Sequence, residues 1–188
     1  MRLRKQIIAT LLAFCCGSVL AANPSDNVVE ARGVIKQFAK SLMGQLKPAM
    51  KEGGPIAAIQ VCNARAPDIT KEISATSGWR VARTSLKSRN VSNAPDAWEL
   101  NVLNAFESRK AAGEDPKKID YSEVVEVAGQ KSFRYMKAIP TAKLCLGCHG
   151  SDIKPVVTQK LDELYPHDKA RGFKAGDIRG AFTLSKAL

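Results

Sequence analysis

Between residues 27 and 47, Val28, Ala31, Ile35, Phe38, Leu42 and Leu46 recur at spacings of three and four, which places them on one apolar face of a long helix. PAMKEGGP at 48–55 breaks that pattern, and Pro55 suits the first turn of a second helix. There Ile56, Ile59, Cys62, Ala66, Ile69 and Ile73 continue a helical stripe, kinked or restarted at Pro67, so Cys62 is expected to point inward. SGWRVARTSL at 77–86 reads as a turn and a strand, and residues 89–115 as a loop and a helix capped by Asn93 or Asp96. YSEVVEVAGQKSFRYMKAI at 121–139 alternates on either side of a turn at 128–131 and predicts a hairpin. DIKPVVTQKLDELYP predicts a helix that stops near Pro166, and GDIRGAFTLSKAL a final strand. Helices first and an antiparallel meander afterwards, with helical insertions, indicate an α+β domain.

The N-terminus has a different pattern. MRLRK precedes the apolar run Ile7–Ala21 and the polar NPSDN, the organisation of a secretory signal peptide cut after Ala21, with Ala22 as the second choice. The run falls short of the roughly 20 residues of a membrane span, although an uncleaved anchor is the alternative. Phe14 and Cys15 stand where a lipoprotein signal wants small residues. The expected mature chain is one domain, residues 22–188, exported to the periplasm and without a membrane span. Loss of Arg2, Arg4 and Lys5 lowers the formal charge from +11 to +8. The cations are scattered and aromatics are few, which argues against a nucleic-acid partner.

Export also changes the cysteine arithmetic. Cys15 and Cys16 leave with the signal, and Cys62, Cys145 and Cys148 remain. Three thiols cannot all pair, and an oxidising compartment leaves an idle thiol exposed to oxidation. KLCLGCHG at 143–150 holds Cys145, Cys148 and His149 as C-x-x-C-H. That order suits haem c: two thiols reach the two vinyl groups of the porphyrin, and the next residue turns its imidazole under the iron. Gly147 and Gly150 free the backbone for close approach to a flat ring. A zinc site lacks its second C-x-x-C or H-x-x-x-H pair. A redox dithiol wants a strand-to-helix junction, whereas this pair follows a hairpin. For a second axial ligand the residues leave His167, Met43, Met50, Met136 and Cys62 open; Cys62 is favoured as the leftover thiol on an apolar helix face.

AAIQVCN at 57–63, RTSLKSRNVSNAPDAWE at 83–99, CLGCHG at 145–150 and YPHDKARGFKAGDIRGAFTLS at 165–185 stand in one order. Across these blocks the chain resembles the single-haem c-type proteins with a PAS-like fold, which occur alone in the periplasm and as extracellular input domains of sensor kinases and diguanylate cyclases. The resemblance implies one covalent haem c on Cys145 and Cys148, His149 as proximal and Cys62 as distal iron ligand. It also implies a pocket shaped by the Arg-Asn pair and by the Gly-Asp-x-Arg-Gly block. Val91 stands where a proline commonly follows that Arg-Asn pair. Arg83, Arg89, Asn90 and Arg134 are the candidates to meet the haem propionates. Tyr165, Pro166 and Asp168 read as a helix stop and cap, and Trp79 and Trp98 as core.

A thiolate ligand favours ferric iron, so a low potential is expected. The leading function is then a redox or diatomic-gas sensor, the alternative an electron-transfer cytochrome that docks an acidic partner, and an enzyme the least favoured. The partner is a redox protein or a membrane sensor, with a homodimer through the Val28–Leu46 stripe as a further option.

Overall fold

The computed structural model describes residues 24–188, so the expected signal peptide and its expected cleavage point lie outside the described residues. The chain begins with α1, Pro24–Gln60, two helical stretches separated at Gly54, whose φ of +63° and ψ of −159° are not helical. The expected break at PAMKEGGP is thus present, and Pro55 opens the second stretch. Pro48 stays inside the helix because it and Gly44, four residues earlier, both face solvent, where water can serve the carbonyl that the proline leaves without a donor. A wide π turn, Val61–Arg65, joins α1 to α2, Ala66–Ser77, and Gly78 ends α2 in the left-handed region with φ +72°.

The strand β1, Arg80–Thr84, is followed by α3, Ala97–Ala111. Of the two possible caps Asp96 is the one used. It accepts from the Glu99 N–H while the Glu99 carboxylate accepts from the Asp96 N–H, a reciprocal capping box. The hairpin forms from β2, Asp120–Val127, and β3, Gln130–Pro140, across Ala128 and Gly129, both at positive φ. A 3-10 turn, Lys143–Cys145, leads into the single helical turn α4, Leu146–His149; α5, Pro155–Leu164, and β4, Ile178–Ala187, complete the chain.

The four strands form one antiparallel sheet in the order β1-β4-β3-β2, so the predicted meander β2-β3-β4 is extended by β1 on its far side. Alternation sends Phe133, Tyr135, Val81 and Leu184 to one face, where Ala31, Ile35 and Phe38 of α1 and Ile69 and Ile73 of α2 cover them. Burying each large side chain of this kind contributes about 1.5–3 kcal/mol. Met136, Ala138 and Ala181 point to the opposite face, under Val102, Leu103 and Phe106 of α3. A third cluster lies outside the sheet, where Ile59 meets Val157, Leu161 and Tyr165, with Cys148 packed against them. This cluster seats the C-x-x-C-H turn. Trp79 is buried in the first cluster, as expected of a core residue. No helix among the described residues is long and apolar enough to cross a membrane.

Candidate haem site

Cys145 closes the 3-10 turn, and Cys148 and His149 follow on α4, so both thiols and the imidazole come from one short coil of backbone. Gly150 N–H donates to Leu146 O at 2.9 Å, and a Cβ at Gly150 would stand 2.7 Å from that oxygen. Only glycine fits there. Gly172 N–H donates to Gly150 O and Phe173 N–H to His149 O, each at 2.9 Å, tying the coil to the segment before β4.

The imidazole is oriented by its neighbours. Its Nδ1 lies 2.9 Å from Ala170 O, and since a carbonyl only accepts, Nδ1 carries the proton and Nε2 keeps its lone pair. Burial first, then the cations Arg179 and Arg89, push the His149 pKa down to about 3, so the ring is neutral at ordinary pH. This has a measurable consequence in the chain before haem is attached. The unfolded ring titrates near pH 6.5, so between about pH 3 and pH 6.5 the unfolded state takes up a proton that the folded state refuses, and stability rises with pH. The urea midpoint of a Cys145→Ser/Cys148→Ser chain is expected to climb from about pH 4 to about pH 7 and then level off, with a shallower climb when His149 is also Gln.

Arg89 is the central clamp. Its side chain is 12% exposed and its Nε donates to Asp168, itself 1% exposed, at 3.1 Å. One terminal nitrogen reaches the carbonyls of Cys148 and Ala170, and the other lies 3.5 Å from His149 Nε2. Burial alone would raise the Asp168 carboxyl; hydrogen bonds from Arg171, Arg89 and the Ala170 N–H together outweigh it and hold the group below its usual range. Asp168 is thus a buried anchor of the site rather than the helix cap its position suggested. Tyr165 likewise ends α5 and lies buried beside the thiols, its ring 5.9 Å from the Arg89 guanidinium.

Cys62 comes from the π turn Val61–Arg65. Among the described residues Cys62, Cys145 and Cys148 are free thiols. Burial raises the Cys62 pKa, opposed by the fields of Arg83, Arg179 and Arg89, and Cys145 adds to the rise. Cys148 is raised in the same way, by burial against Arg89 and with Cys62 and Cys145 adding. These mutual influences put Cys62 in one electrostatic neighbourhood with the C-x-x-C-H turn. Among the described residues no three His, Cys, Asp or Glu side chains gather as an ion-binding group, so the thiols and imidazole form an extended set rather than a closed tetrahedral one.

Two further guanidinium groups belong here. Arg83 stacks 5.3 Å from the Phe38 ring centroid, and burial lowers its pKa. Arg179 was not singled out from the sequence as a charge. In the β3–β4 register Ile139 faces Gly180 and Pro140 faces Ile178, which leaves Arg179 as the extra residue of a bulge. Gly180 permits that bend with φ +155°, where a Cβ would come 2.4 Å from Thr84 O, and the Ser85 hydroxyl donates to Arg179 O at 2.6 Å. The bulge turns the side chain toward Cys62, Cys145 and His149, and burial followed by Arg83 lowers its pKa. Among the described residues neither Arg83 nor Arg179 has a carboxylate partner.

The other candidates lie elsewhere. Arg134 donates to Asp96 at 2.8 Å and Glu99 at 3.2 Å and stacks 4.1 Å from Trp98, on the α3 face of the sheet and away from the Cys145–His149 coil. The Asn90 side chain caps the 3-10 turn Val91–Asn93 by accepting from Ser92 N–H at 2.9 Å. Met136 is buried under α3, and His167 is exposed.

These residues fit a covalently held haem: two thiols and an Nδ1-protonated imidazole on one coil, a third thiol in the same electrostatic neighbourhood, and two cations that lack a carboxylate partner among the described residues. The fold and this site define a PAS-like α+β domain. The chain belongs to the Tll0287-like family, whose model matches residues 21–186. The crystal structure of the cyanobacterial haem protein Tll0287 superposes with a TM-score of 0.65 at 25% identity, covering 89% of this chain and 98% of that one. No curated protein matches the chain.

Proposed function

We propose that this chain is a periplasmic haem c protein that senses redox state or a diatomic gas, with one haem on Cys145 and Cys148, His149 as proximal ligand and Cys62 as distal ligand. The observation that carries the reading is the fixed His149 tautomer, Nδ1 bound to Ala170 O, on the same coil as two free thiols. The likeness to a protein described as a haem protein supports it. Bound there, the haem would supply a one-electron iron centre.

The chain's own residues set the conditions around it. Burial holds the Cys62 pKa above its ordinary value, and the fields of Arg83, Arg179 and Arg89 offset part of that rise without reversing it. Arg83 and Arg179, without carboxylate partners of their own, suit the propionates better than Arg134 and Asn90 do. No acid–base pair beside an open position was evident from the sequence, which favours a sensor or carrier over an enzyme.

Cys62→Ser is expected to keep its covalent haem and lose the thiolate character of the ferric spectrum. An unchanged ferric spectrum would remove Cys62 from the iron. The reduced wild-type protein is expected to bind carbon monoxide or nitric oxide. Refusal of both gases with sulfur still bound would instead favour the electron carrier, a reading that the formal charge of +8 expected after loss of the signal supports through docking to acidic partners.

A further inference from the structure

Ile59, Ala66 and Ile73 are spaced by seven residues, so an unbroken α-helix would set them on one face. The structure sends them to different places. Ile59 packs with Val157, Leu161 and Tyr165 beside Cys148, whereas Ile73 packs with Phe38, Trp79 and Tyr135 above the sheet. The offset arises between them in the π turn Val61–Arg65, where the Ala66 N–H donates to Val61 O, five residues back. One extra residue in a single turn rotates the upstream face relative to the downstream face by roughly 100°. Cys62 stands inside that turn, three residues after Ile59.

Pro67 follows directly. It has no N–H to offer the Asn63 carbonyl, and its ring would collide with that oxygen in an α register. Arg65 straps the turn on both sides, its Nε donating to Gln45 at 3.0 Å and its Nη1 to Asp68 at 2.6 Å. Pro67 itself is exposed and supports no core packing.

We propose that Pro67 is a positioning residue for Cys62: by excluding the α register over 61–67 it holds the wide turn that aims the thiol at the Cys145–Cys148–His149 coil. The inference rests on the reading of Cys62 as the distal ligand. Three exported holoproteins test it against wild type: Pro67→Ala, Cys62→Ser, and the double variant. Absorption and electron paramagnetic resonance report ferric ligation, and alkaline pyridine reports attached haem. Pro67→Ala is expected to keep its covalent haem and a cooperative thermal transition while a second, non-thiolate ferric population appears. The double variant should match Cys62→Ser, because the proline acts through that thiol. A single wild-type ferric species in Pro67→Ala, alongside an altered Cys62→Ser, overturns the role of Pro67 and leaves the ligand reading standing. A wild-type spectrum in Cys62→Ser overturns both.

Discussion

Replacing both Cys145 and Cys148 by serine is expected to abolish covalent haem: after export with the attachment machinery, no haem should migrate with the denatured chain and alkaline pyridine should give no c-type band. Each thiol is one anchor, and a serine hydroxyl cannot form the thioether. Single variants are expected to retain less haem, held at one edge. His149→Ala should yield little holoprotein, because the coil then lacks the donor whose orientation Ala170 O fixes. Haem still travelling with the denatured double variant would place the attachment elsewhere in the chain. That outcome would remove the central premise of the site, whereas loss of haem together with a cooperative thermal transition would show that the anchors carry the cofactor and not the fold.

The second large effect is on stability. Arg89→Ala is expected to cost about 3 kcal/mol, since removing one partner of a buried ion pair leaves the other desolvated. Asp168 would keep Arg171 and the Ala170 N–H, which holds the loss to the lower end of the range, while the Cys148 and Ala170 carbonyls lose a charged donor. For a chain of this length that corresponds to a fall of roughly 6–12 °C in melting temperature. The same change frees the coil from the Asp168 loop, so haem incorporation should fall as well. Arg89→Lys keeps the charge but not the fork that reaches a carboxylate and two carbonyls, and it should restore only part of the stability. A melting temperature within a degree or so of wild type in Arg89→Ala would show that Arg171 alone secures Asp168.

Local rules carried much of this molecule. The C-x-x-C-H order, the capping residues at Asp96 and Glu99, the Ala128–Gly129 turn and the period-two alternation of β2 and β3 are each decided by residues within a few positions of one another. Such features are written in the sequence because the physics that selects them is local: a side chain satisfies a nearby N–H, or glycine accepts a positive φ. The same locality served at 48–55, where turn-forming composition marked the break that Gly54 makes with a non-helical φ of +63° and ψ of −159°. It misled at the Ile56–Ile73 stripe. Spacing alone implied one face, whereas two separate clusters demanded two, and the wide turn before Pro67 reconciles them.

What the sequence by itself determined is therefore the α+β class, the order of its elements, and the thiols and imidazole that mark the site. Only the tertiary structure decided that a bulge turns Arg179 toward the thiols, that Arg134 faces α3 instead, and that Asp168 is a buried anchor. The reason is distance along the chain. Arg89 finds Asp168 across 79 residues, Ser85 fixes the Arg179 bulge across 94, and Arg134 is held by Asp96 and Glu99 of α3. Ion pairs and bulges of this kind exist once the sheet register and helix packing have brought the partners together, and no short window of sequence contains both ends of them.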